Sequence, residues 1–163
     1  MTVATAESQK TEVQVADEAK AQETFKDPYE YLATFPGAPT KEQVEALKAQ
    51  APNGIIRIFA PGKRVFLLRG FSGVELQSIQ AQIPENLGAN LAPDARAAKI
   101  EAEVGLHAAS LCTVWTSTTK SGKLTIEQLR GGTAGLPSTL FAIVTYMSDF
   151  LDPEALQALS MEL

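Results

Sequence analysis

One histidine, one cysteine and one tryptophan are all that 163 residues contain of these types, and each scarcity excludes some chemistry. Cys112 has no second cysteine to form an internal disulfide with, which fits a reducing compartment. One His and one Cys cannot build a tetrahedral zinc site, and on a helix His107 and Cys112 diverge by about 140°. No apolar run approaches the ~20 residues of a membrane span. The N-terminal residues lack the apolar core and basic flank of a secretory signal, so none is expected. Acids outnumber bases 19 to 14, and the net charge of -5 gives no general attraction to nucleic acid or an anionic membrane.

What is present is apolar: 45% of residues are hydrophobic, enough for one real core and a single globular domain over residues 27–163. Residues 1–26 differ, with five acids, three lysines and Phe25 as the single aromatic. Too little apolar area is available there to offset ordering entropy, so a flexible acidic tail is expected.

Helix starts are marked by side-chain oxygens that satisfy orphan backbone N–H groups. Asp27 precedes Pro28. Thr40 with Gln43, Ser72 with Glu75, and Thr125 with Gln128 have the spacing of capping boxes. Pro52-Asn53-Gly54 ends the second of these helices, and Pro84 ends the third. Between them "IIRIFAPGKRVFLLRGF" reads as a β-hairpin turning at Pro61-Gly62-Lys63. Ile56 and Ile58 share one face, opposite Ile55, Arg57 and Phe59; Phe66 and Leu68 oppose Val65, Leu67 and Arg69. Both faces are largely apolar, so helices or a partner must cover both.

Pro93 opens a long helix with an expected stripe of Ile100, Val104, His107, Leu111 and Val114, with Trp115 alongside. "PSTLFAIVTYMSDFL" is the most apolar helix, and Asp152-Pro153-Glu154 caps an expected last one. The fold class is therefore α+β and mostly helical, with one hairpin packed on about five helices.

The glycine-rich "RGGTAGLPSTL", residues 130–140, invites a phosphate-loop reading and fails it. It has neither the Lys nor the spacing of a P-loop, and it follows a helix rather than a strand. A helix–helix corner explains it, with Gly131 in the left-handed position and Pro137 starting the next helix. "RGFSGVE" is one residue short of a nucleophile elbow. A hydrolase would need His107 in a cleft beside Ser72 or Ser138, whereas the stripe reads as a hydrogen-bonded core or edge imidazole. Glu101 and Glu103 lie about 200° apart on a helix and cannot act as a pair. No catalytic residue, cofactor or metal site is expected. Arg57, Lys63, Arg64 and Arg69 form a basic hairpin rim with Phe59, Phe66 and Phe71 nearby, which keeps a nucleic-acid-binding regulator as the alternative. The acidic total and the absence of an RNP-type sequence favour a solvated rim or an acidic protein partner.

The order of elements over residues 40–150 resembles the tail-assembly-chaperone and baseplate-hub-assembly group of bacteriophages with contractile tails. The resemblance is carried by "TKEQVEALKAQAPNGIIRIFAPGKRVFLLRGFSGVEL", "EAEVGLHAASLCTVWTS" and "LRGGTAGLPSTLFAIVTYMSDF". Where the group often has Ser-Gly-Phe, this chain has Ser148-Asp149-Phe150. The resemblance implies a non-enzymatic protein, either a transient chaperone or a permanent virion subunit, in the host cytoplasm or the virion. Its implied partners are other tail or baseplate proteins, with self-association left open. Arg57, Phe59, Arg64, Phe66 and Leu68 are the candidate contact residues, because a free hairpin edge offers unpaired backbone groups to another strand.

Overall fold

The computed structural model describes residues 27–150 and 161–162. The expected acidic tail, and the expected last helix from Asp152 up to residue 160, lie outside the described residues. The fold is α+β, with an antiparallel sheet packed between helices.

Local capping works as the spacing requires. Helix α1 (Pro28–Ala33) starts at Asp27, whose carboxylate accepts from Tyr29 N. Helices α2 (Lys41–Gln50) and α3 (Gly73–Gln82) each begin with a complete capping box, at Thr40/Gln43 and at Ser72/Glu75. Each box satisfies two orphan donors.

Strands β1 (Ile56–Phe59) and β2 (Phe66–Arg69) pair antiparallel, with Phe59 opposite Phe66 and Ile56 opposite Arg69. Gly62 turns the hairpin at φ +66°, a conformation that costs a residue with a Cβ. The alternation of side chains then builds two cores, one on each face of the sheet. Ile56, Ile58, Val65 and Leu67 pack with Leu32 and Val44 of α1 and α2. Phe66 and Leu68 pack with Ile79, Ala108, Leu140 and Val144 on the opposite side, joined by half-buried Ile55 and Phe59. The chain's own helices thus cover both apolar faces of the hairpin.

Helix α4 spans Pro93–Cys112 and stops earlier than its stripe suggests. Thr113–Thr116 form strand β3, which pairs with β2 (Phe66 opposite Thr116), so Val114 and Trp115 belong to the sheet. The buried face of α4 consists of Gly105, Ala108, Ala109 and Cys112, while Leu111 is 41% exposed. Small residues line this face because helix α6 (Gly135–Thr145) lies close: a Cβ on Gly105 would sit 3.3 Å from the Phe141 ring. Side-chain bulk was therefore the wrong guide to the buried face of α4.

Helix α5 (Ile126–Gly131) carries the third capping box, at Thr125/Gln128, and leads into the glycine corner. The corner is real, but its details differ from expectation. Gly131 belongs to the helix, Gly132 caps it in an extended conformation at φ -89°, and α6 begins at Gly135, ahead of Pro137. Helix α6 ends in a π-helical turn over Tyr146–Phe150. Asn53 Nδ2 donates to Met147 O (2.6 Å), and Phe71 N donates to Ser148 Oγ (2.9 Å), so this turn is tied to two loops beside the sheet. Met161–Glu162 form a short strand β4 rather than helix, because they pair with β1 opposite Ile58 and Arg57. The strand order is β3-β2-β1-β4. Among the described residues no helix is long and apolar enough to cross a membrane.

Candidate partner-binding cleft

The structure sorts the five expected contact residues into two groups. Phe66 and Leu68 are fully buried and Arg57 is 6% exposed, so these three do not form a free surface. The free hairpin edge they were to serve is also taken, by β3 along β2 and by β4 along part of β1. A two-sided apolar hairpin is the centre of this fold, not a projection from it. Phe59 is half-buried and Arg64 is exposed.

Those two residues face the glycine corner. Phe59, Pro61 and Arg64 of the hairpin, with Thr133, Gly135, Leu136 and Thr139 of the corner and α6, line an open cleft of about 240 Å³. Its walls have different origins. Phe59 is held by its neighbour Phe66, ring centroids 6.1 Å apart, which leaves it at the edge of the larger core. Leu136 is likewise packed on the core edge, and its N–H donates to Thr133 O at 3.1 Å. Thr139 donates its hydroxyl proton to Gly135 O at 2.9 Å. The floor is therefore apolar, and the exposed Arg64 guanidinium is the charged group of the lining. The volume is below the roughly 300–1,000 Å³ of ordinary small-molecule sites and suits one large side chain.

The other singled-out residues are not brought together. Ser72 is occupied as the cap of α3, accepting from Glu75 N at 3.2 Å. His107 meets Gln82 at the far end of the same helix (Nδ1 to Oε1, 3.2 Å) and Glu103 at 3.6 Å. Ten residues at 1.5 Å rise separate Ser72 from Gln82, roughly 15 Å. His107 is a hydrogen-bonded edge imidazole. The Cys112 thiol is pushed up to about 12 by burial, so it is not a ready nucleophile.

Two carboxylates outside the cleft are strongly held. Arg69 forks onto Glu75 (Nη2 to Oε1 2.8 Å, Nη1 to Oε2 3.1 Å), and Arg130 forks onto Glu103. Both carboxyls lie below the usual carboxylate range, chiefly through those arginine hydrogen bonds. A depressed folded-state value stabilises the fold at pH above the unfolded value, roughly 4.3, and the gain is lost as pH falls through the folded value. Urea midpoints are therefore expected to hold steady near neutrality and to fall below about pH 4.5, less steeply in Glu75→Gln. Identical acid limbs for the two proteins would remove Glu75 from that account.

Of the four cations on the expected basic rim, Arg57 is buried and Arg69 is paired, which leaves Lys63 and Arg64 facing solvent. Missed in the sequence were Lys120 and Lys123, both exposed on the loop after β3. The available signal was the stretch without a single carboxylate between Glu103 and Glu127. No protein-family model, curated protein or solved structure matches this chain.

Proposed function

We propose that the chain is a non-enzymatic assembly protein of a contractile phage tail or baseplate, acting by protein–protein contact at the cleft between hairpin turn and glycine corner. The observation that carries this reading is the cleft itself, an apolar socket sized for one side chain with an arginine on its rim. Sockets of that kind take the anchor residue of a partner, and charged rims set its orientation. The order of motifs over residues 40–150 supports the tail or baseplate setting.

The test is capture of purified tail and baseplate components of the cognate phage by the full chain. Leu136→Asp places a charge in the socket and is expected to weaken capture by roughly tenfold or more, while Val74→Ala, at a residue 74% exposed, leaves it unchanged. Emission from Trp115, the single tryptophan, checks that each variant is folded. Failure of the wild-type chain to bind any such component would sink the proposal. Mass spectrometry of purified particles then separates the two roles: a chaperone is scarce in them, and a subunit is present in fixed ratio.

A further inference from the structure

Strands β2 and β3 run antiparallel with Phe66 opposite Thr116, so the chain before Phe66 and the chain after Thr116 leave the sheet at the same end. Three hydrogen bonds lock them together there. Val65 N donates to Ser117 Oγ (2.9 Å), Ser117 N donates to Val65 O (3.0 Å), and Thr116 Oγ1 donates to Val65 O (3.0 Å). The second loop is also braced internally, with Thr119 Oγ1 donating to Lys123 O at 2.8 Å.

This junction brings together charges that are distant in sequence. Residues 60–65 carry Lys63 and Arg64, residues 117–123 carry Lys120 and Lys123, and neither segment has a carboxylate. The cleft's other wall, residues 132–139, has no charged residue at all. Among the described residues none of the four cations is paired with a carboxylate. A protein of net charge -5 thus carries four cations, none paired with a described carboxylate, on the two segments that leave one end of its sheet, and one of them, Arg64, lines the cleft. Attraction from such a charge reaches an approaching carboxylate over a Debye length of about 8 Å.

We propose that this end of the sheet docks an acidic protein segment, whose apolar anchor enters the cleft at Phe59 and Leu136 while its carboxylates meet Lys63, Arg64, Lys120 and Lys123. The proposal rests on reading the cleft as a partner socket and adds the partner's chemistry. Guanidinium and ammonium donors make charge-assisted hydrogen bonds to carboxylates, and Arg64 can do so bidentately. A protein segment fits better than single-stranded nucleic acid, which needs open aromatic faces for its bases. Here Phe66 and Phe71 are buried, and Phe59 is packed beside Phe66.

The test uses the full chain and three fluorescent probes: a peptide with glutamates around one leucine, the same peptide with glutamine in place of every glutamate, and a single-stranded DNA of equal charge. The glutamate peptide is expected to bind at low salt, to weaken steeply as salt rises, and to exceed both other probes by roughly tenfold. Lys120→Glu and Lys123→Glu should each weaken it several-fold, whereas Lys99→Glu, an equal charge change on exposed α4 surface, should not. Equal binding of the glutamate and glutamine peptides would overturn the proposal, as would equal effects of Lys99→Glu and Lys120→Glu. Tighter binding of DNA would overturn it in favour of a nucleic-acid surface. The two readings also fail separately. Acidic-peptide binding without capture of tail components removes the assembly role and spares the surface; capture that persists in Lys120→Glu and Lys123→Glu removes the surface and spares the role.

Discussion

Phe66→Ala should cost about 3–5 kcal/mol of unfolding free energy, the largest loss expected from any single truncation in this chain. Phe66 has no solvent exposure and reaches from β2 into the larger core beside Leu68, Ile143 and Val144. It is also the residue where three strands register, opposite Phe59 on one side and Thr116 on the other. Removing the ring loses its transfer free energy and leaves a cavity that a sheet fixed on both sides cannot close. Against a total stability of order 5–15 kcal/mol, the variant keeps little reserve. Urea unfolding followed by Trp115 emission should show a much lower midpoint with an unchanged slope. A loss under about 1 kcal/mol would mean that Phe66 is not the keystone its burial indicates. The same result bears on function, because a lesion at Phe66 would abolish partner binding by unfolding the protein rather than by altering a contact.

The second large effect is expected at Gly122. Its φ is +72°, and a Cβ built there would fall within contact distance of Cδ1 and Nε1 of the Trp115 indole. An alanine would pay the left-handed backbone penalty and also displace the indole, together about 2–4 kcal/mol. The hydrogen bond from Thr116 N to Gly122 O (2.9 Å) stands in the same place and would be strained with it. Gly62→Ala separates the two terms, since Gly62 has φ +66° but open space around its Cβ position. It should lose only the backbone part, about 1–2 kcal/mol. Gly122→Ala should also shift Trp115 emission in the native state, and Gly62→Ala should not. Equal losses in the two variants would show that the indole moves aside freely.

How far these features could be read in the sequence depended on how local their causes are. The capping boxes at Thr40, Ser72 and Thr125 need only four consecutive residues, and all three form. The facing within each strand also followed from alternation alone: Ile56 and Ile58 fall in a different core from Ile55 and Phe59, and Phe66 and Leu68 in a different core from Val65 and Leu67. Strand β3 was hidden because Thr113–Thr116 become a strand only through pairing with β2, nearly fifty residues earlier. The buried stripe of α4 was hidden because Gly105, Ala108 and Ala109 are buried for their smallness. At the site, Phe59 and Arg64 were chosen for a free strand edge that β3 and β4 in large part occupy, and they line a cleft instead. Arg57, Phe66 and Leu68 were lost to the interior because helices cover the hairpin on both faces. Lys120 and Lys123 join the hairpin tip through the bonds of Val65 to Thr116 and Ser117, contacts that span 51 and 52 residues.

The sheet that separates the two cores has a consequence for dissecting the molecule. Adjacent residues of β1 and β2 support opposite halves, so no cut in the chain yields a fragment with one half intact and the other absent. Whoever shortens this protein to isolate its binding end will have to keep α1 and α2, although neither lines the cleft, because without them Ile56, Ile58 and Leu67 would meet water.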